Sequence, residues 1–223
     1  MTEITPSLTF ASPEIAPVDL PERGMEHGLV SASLVGASLV NANCVAGARR
    51  CRLSTLGSVE VAVVEIPVVA SYPLRQRVLR PHQGLEAVAW EGDEEPATAS
   101  FGAVDRQDGA IVGVATVFPE PAPFTPEAVG LEASVAIEEA TWRLRGMATS
   151  ESLRGQGIGS AVLKAVLDHV AAKGGRLIWC NACVGAVGFY ERAGFATWGD
   201  EWVLASIGPH VVMWRQVEPE GTR

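Results

Sequence analysis

The chain has 223 residues, 48% of them hydrophobic, and a formal net charge of −9. That length and apolar fraction suit one large domain, or one medium domain with an extension, and exclude wholesale disorder. The acidic balance argues against a nucleic-acid partner, so a polyanionic ligand needs a local basic site rather than a global field. Four cysteines are too few for a disulfide scaffold at this length, and they read as reduced thiols of a cytoplasmic protein.

Residues 1–24 mix proline, serine and acids in a linker-like balance. Residues 28–48 then run without a charge, but three glycines, three serines and two asparagines dilute the apolar density below that of a spanning helix. The segment before them carries Glu3, Glu14, Asp19 and Glu22 against Arg23, unlike a secretory signal. Residues 1–57 are therefore expected to be a poorly ordered extension rather than a membrane anchor.

From Val59 the pattern sharpens. "VEVAVVEI" is β-branched and predicts a strand. "YPLRQRVLRPHQ" predicts a short helix that Pro73 suits at its first turn and Pro81 stops. "TASFGAV" and "AIVGVATV" flank Asp108-Gly109, a hairpin turn. "PEPAPFTPEAVG" reads as loop. "TWRLRGM" alternates Trp142, Leu144 and Gly146 with Arg143, Arg145 and Met147, a strand whose basic side is either a solvated face or a functional one. "SAVLKAVLDHVAAKGG" places Val162, Leu163, Val166, Leu167 and Val170 on one helical stripe. "RLIWC" is a buried strand, "AVGFYERAGF" a short helix closed at Gly194, and "EWVLAS" and "HVVMWRQ" are two last strands. Trp142, Trp179 and Trp202 are assigned to the core. The order implies a mixed α/β sheet over residues 58–217, with 218–223 a tail.

Between the "TWRLRGM" strand and the long helix stands "RGQGIGS", Arg154 to Ser160. Three glycines against a helix start are poor helix formers, so they either shape a turn or bare backbone N–H groups for an anion. Those N–H groups have no intrahelical partner and lie under the positive end of the helix dipole. Arg154 adds a charge where the whole chain has the opposite sign. A dinucleotide fingerprint fails, because Ser160 or Val162 stands where its third glycine belongs. A P-loop fails because no lysine follows Gly159.

"RGQGIG" resembles motif A of the GCN5-related N-acetyltransferases, [RQ]-x-x-G-x-[GA] after a strand. "AVGFYERAGF" resembles that family's motif B, and "YPLRQRVLRP" and "GPHVVMW" look like one branch of it. The resemblance covers about Val59 to Arg215. It implies a mixed, mostly antiparallel twisted sheet with helices on both faces, and transfer of an acetyl group from acetyl-CoA to a primary amine by direct attack in a ternary complex. It further implies that the backbone of Met147, Ala148 and Thr149 binds the pantetheine arm. The amides of Gly155, Gln156, Gly157, Ile158, Gly159 and Ser160 would hold the pyrophosphate, with Arg154 beside them. Tyr190 occupies the position of the residue that protonates the leaving thiolate. Seven residues before it the family often has an asparagine, where this chain has Cys183, with Asn181 two residues earlier as a substitute. The implied partners are a small-molecule or peptide amine and a second copy of the chain in a homodimer; no metal and no nucleic acid is implied. A non-catalytic acyl-CoA-binding module is the alternative that Cys183 and an unassigned general base leave open.

Tyrosine, with a reference pKa near 10, donates to a thiolate while staying protonated at neutral pH. Candidates for the base are Glu91, Asp93, Glu138, Glu139, a water chain and His210, the last against the alternative of a turn histidine satisfied by backbone. Tyr190 itself has the alternative of a core-edge aromatic. Cys180 and Cys183 form a C-x-x-C, which suits a redox pair or half a zinc site, against ordinary reduced thiols.

Overall fold

A computed structural model describes residues 52–56, 59–131, 140–205 and 207–218. The uncharged stretch 28–48, Cys44, Cys51, Glu138 and Glu139 lie outside the described residues. Eight strands form one sheet in the order β1-β2-β3-β4-β5-β6-β8-β7. They are β1 (Arg52–Leu56), β2 (Val59–Ile66), β3 (Ala99–Asp105), β4 (Ile111–Pro119), β5 (Thr141–Thr149), β6 (Leu177–Cys183), β7 (Ala196–Leu204) and β8 (Gly208–Gln216). The helices are α1 (Tyr72–Leu79), α2 (Ile158–Ala172) and α3 (Val187–Arg192). No helix among the described residues is long and apolar enough to cross a membrane.

The sheet begins earlier than the expected boundary at 58. Arg52–Leu56 pairs antiparallel with β2 along its whole length, from Arg52 opposite Val63 to Leu56 opposite Val59. The β3–β4 hairpin closes as expected, with the Asp105 N–H donating to the Ala110 carbonyl at 2.8 Å and the Ala110 N–H to the Asp108 carboxylate at 2.9 Å. β7 starts at Ala196 rather than Glu201, because Gly199-Asp200 is absorbed as a bulge between Trp198 and Trp202 instead of ending the strand.

The two faces carry different partners. Val162, Leu163, Val166 and Val170 of α2 pack on Trp142, Leu144, Ala115, Val117 and Ile178, together with Tyr190 and Phe195 from α3 and its end. On the opposite face Leu74 of α1 packs on Val114 and Ala148. The predicted loop after β4 holds one 3₁₀ turn (Pro126–Val129) and covers β6 and β8, with Phe124 and Leu131 against Trp179, Val212 and Trp214.

Seven of the strand pairs in this order meet, and all are antiparallel except β5 with β6. A parallel pair needs a crossover, which α2 supplies. That parallel pairing covers Thr141–Arg143 against Leu177–Trp179 and then stops, although β5 runs on to Thr149 and β6 to Cys183. The strands part there because β5 carries a bulge. Thr116 of β4 pairs with Arg145 and Val114 with Ala148, so β5 takes three steps where β4 takes two. Gly146 sits in the bulge at φ +63°.

The bulge also corrects the alternation read from the sequence. Met147 packs with Leu144 on the α2 face instead of with Arg143 and Arg145, and Ala148 faces α1. A Cβ on Gly146 would lie 2.6 Å from Nε of Arg75 and 3.0 Å from the Trp90 ring, and the left-handed backbone adds its own strain. Gly146→Ala is therefore expected to lose about 2 kcal/mol or more of stability. Thermal unfolding checks it, and an unchanged midpoint would refute the requirement for glycine.

Candidate active site

The bulge is gripped by a buried ion cluster. Arg75, fully buried on α1, donates from Nη1 to Asp93 Oδ2 at 2.8 Å and to the Val88 carbonyl at 3.1 Å. It also donates from Nη2 to the Thr116 hydroxyl. Arg145 donates to Asp93 Oδ1 at 2.8 Å, and the Trp90 N–H donates to Oδ2 at 3.1 Å. Trp90 lies 4.7 Å below the Arg75 guanidinium and 5.6 Å below that of Arg145. Arg145 is thus no solvated face. Arg143 likewise pairs with Glu120 at 2.7 Å and lies 4.8 Å over Trp179.

Burial alone would raise the Asp93 carboxyl, but the bonds from Arg75 and Trp90 and the charges of Arg75 and Arg145 outweigh it and hold it below the usual carboxylate range. With both oxygens engaged by cations, Asp93 does not serve as a proton acceptor.

Past the parting of the strands, Met147, Ala148 and Thr149 run along the β5 side of an open wedge whose other side is Cys180–Cys183. β5 leads through a 3₁₀ turn, Glu151–Leu153, into the glycine loop. Gly155 and Gly157 have φ of +78° and +86°, so both serve a left-handed backbone that side chains resist. The space beside Gly155 is open: a Cβ there would meet nothing within 4 Å. Gly159 is small for another reason, since a Cβ there would touch Phe189 and the Thr149 hydroxyl at 3.4 Å. Gly157 is the N-cap of α2 and provides no capping side chain, and the first turn holds no acid. The N–H groups that begin α2 are therefore presented at the end of β5, as an anion site requires. Arg154 stands at the loop in an exposed 3.5 Å contact with Glu151, a weak pair. Gln156 donates to the Ser152 carbonyl at 3.4 Å, bracing the loop, and Ser160 is exposed on the first turn of α2.

Tyr190 is brought to the apex of the wedge by its own helix end. The Phe195 N–H donates to the Tyr190 carbonyl at 3.0 Å, a six-to-one closure across Gly194, and the two rings meet at a 57° tilt with centroids 5.3 Å apart. This is the physical content of the "YERAGF" pattern. The Tyr190 hydroxyl meets the thiol of Cys180, the first β6 residue beyond the β5 pairing. Burial, then the neighbouring Cys180 and Cys183 thiols, push the phenol well above its ordinary value, and burial pushes the Cys180 thiol up to about 12. Both groups therefore stay protonated at neutral pH.

Asn181 and Cys183 are exposed on the other side of β6 from Cys180. The two sulfurs of the C-x-x-C thus point to opposite faces, which rules out their bridging one another or sharing one ion without rebuilding the strand. His210 is held from both nitrogens: Nδ1 lies 2.9 Å from the Gly208 carbonyl and Nε2 3.2 Å from Cys183 Sγ. Trp90 had no motif to announce it, and neither Arg75 in "YPLRQRVLRP" nor Asp93 among the candidate bases carried a sign of their pairing. Gly146 within a strand pattern was the one local signal of a bulge.

A strand thus parts from its parallel neighbour, and a glycine loop opens a helix at its end. The sequence profile of the Acetyltransferase (GNAT) family matches residues 69–195. The uncharacterized N-acetyltransferase YitI of Bacillus subtilis is 33% identical over 153 residues, 69% of this chain and 94% of its own. The ribosomal-protein-S18-alanine N-acetyltransferase from Escherichia coli shares the fold with a TM-score of 0.53 at 14% identity, over 73% of this chain and 97% of that one. An aminoglycoside 6'-N-acetyltransferase complexed with coenzyme A gives 0.52 at 17% identity, over 71% and 98%. The chain belongs to the acetyltransferase (GNAT) family.

The ion cluster yields a pH prediction. A depressed folded pKa contributes stability that is present above the unfolded carboxyl value, about 3.8, and is lost as pH falls through the folded value. Asp93→Asn leaves the buried Arg75 without its counter-charge and should cost about 3–5 kcal/mol at pH 7. Its stability should also fall less steeply than the wild type's below pH 4, as urea unfolding at several pH values measures. Parallel acid limbs would remove Asp93 from the account.

Proposed function

We propose that the protein is an N-acetyltransferase that uses acetyl-CoA and acetylates a primary amine by direct attack in a ternary complex. The observation that carries this reading is the wedge between β5 and β6 with the uncapped N-terminus of α2 at its open end. The residues present fit the cosubstrate: the space beside Gly155 is open, and the loop's exposed cation has the sign of a phosphate partner. In this reading the amides from Gly155 to Ser160 and the Arg154 side chain hold the pyrophosphate. The unpaired backbone edge of Met147, Ala148 and Thr149 aligns the pantetheine arm, and Asn181 faces it from β6. Acetyl-CoA supplies the thioester carbonyl at which the amine attacks. Tyr190 holds a proton at its buried hydroxyl, which its raised pKa keeps in place at neutral pH, and delivers it to the departing sulfur.

Two variants test the halves of this reading separately. Gly157→Val places a β-branched side chain on a backbone at φ +86° and in the path of the phosphates, so calorimetry should show CoA affinity lowered at least tenfold. Undiminished affinity would move the phosphate site elsewhere. Tyr190→Phe keeps the ring and its tilted contact with Phe195 while removing the proton. Steady-state kinetics with an active amine should show kcat reduced by about 10²–10⁴, with the Kd for acetyl-CoA little changed. Wild-type kcat in that variant would take the tyrosine out of the mechanism.

A further inference from the structure

The same three-residue spacing that separates the two thiols gives them opposite chemistry. Cys180 is buried beside Tyr190, and its raised pKa makes it a poor nucleophile. Cys183 is exposed, and the β6–β8 register sets it directly opposite His210. A carbonyl only accepts, so the 2.9 Å contact to Gly208 assigns the imidazole proton to Nδ1. Nε2 is left with its lone pair toward Sγ at 3.2 Å, and the thiol donates to it. His210 is 6% exposed, and the Trp202 ring lies 6.1 Å from it, so the imidazole is confined in this orientation. Nucleophile, base and a third group that orients the base stand in the sequence that activates a thiol.

Cys183 also lies on the wedge. It ends the β6 segment that has no β5 partner, on the same side of the strand as Asn181. The thiol therefore stands at the end of the β6 edge that borders the opening along Met147–Thr149.

We propose that Cys183, with His210 as its base, is a second acyl acceptor of the cleft and takes the acetyl group from acetyl-CoA when no amine is bound. The proposal rests on the acetyl-CoA reading above. His210 Nε2 removes the thiol proton, and Cys183 Sγ forms a bond to the thioester carbonyl carbon. The bond from that carbon to the CoA sulfur then breaks, and the imidazolium returns its proton to the departing sulfur. One thiol and one thioester become one thioester and one thiol, so no oxidant or reductant is needed, and excess CoA reverses the step.

The test incubates the full-length protein with acetyl-CoA and no amine, followed by intact-mass measurement and peptide mapping. CoA binding is measured by calorimetry on the same sample. One added acetyl group is expected on Cys183, removable by excess CoA. His210→Gln and His210→Asn should each slow its formation by about 100-fold. Alkylation of Cys183 by iodoacetamide, which needs no CoA, should slow in the same variants and provides a second readout of the pair. If CoA binds and Cys183 stays a free thiol, or the label sits on Cys44, Cys51 or Cys180 instead, the proposal is wrong and the acetyltransferase reading stands. If CoA does not bind at all, both fall.

Discussion

The bulge at Gly146 is the constraint on which the remaining architecture depends. It is one extra residue in β5, yet it ends the parallel pairing with β6 and reverses which side chains face α1 and α2 beyond it. An unbulged β5 would continue its ladder with β6, and the backbone edge now open along Met147–Thr149 would be consumed in sheet hydrogen bonds. The bulge is in turn held by Arg75, whose guanidinium fills the space a side chain at Gly146 would need. Arg75 is fixed by Asp93, and Asp93 by Arg145 on the bulged strand itself. The cluster closes on the strand it distorts.

This arrangement explains why charged residues are tolerated in the interior. A buried ion pair is weak evidence of stability, since hydrophobic replacements often do as well. Here the pairing does something an apolar contact cannot: it ties α1, the loop through Trp90, and β5 at one carboxylate with directional bonds. The cleft owes its shape to that geometry. The two cation–π contacts on Trp90 reinforce it without adding charge.

Around the wedge, three short closures place the chemistry. The left-handed Gly157 turns the chain into α2 so that its N-terminus lies at the end of β5. The six-to-one closure across Gly194 packs Phe195 against Tyr190 and sets the phenol at the apex. The β6–β8 register places Cys183 against His210. The first two are local in cause, the third joins strands distant in the chain, and each acts on the same opening from a different side. The C-x-x-C thus becomes two thiols with separate neighbours, one in the core and one at the cleft.

Much of this was legible in the sequence, because its causes are local. The strand over 59–66, the helix that Pro73 starts and Pro81 stops, the Asp108-Gly109 hairpin and the stripe of α2 follow from propensity, turn chemistry and periodicity within a few residues. "RGQGIG" and "AVGFYERAGF" announced the glycine loop that opens α2 and the tyrosine helix for the same reason. What required the tertiary structure depends on residues distant in the chain. Asp93 meets Arg75 across 18 residues and Arg145 across 52, and Cys183 meets His210 across 27. Periodicity assumed that β5 alternates without interruption, so it put Met147 on the wrong face and left Arg143 and Arg145 open between a solvated and a functional one. A pattern along one strand records which side chains share a face only while the register holds. Where a bulge shifts it, the neighbouring strand and the side chains packed against it decide.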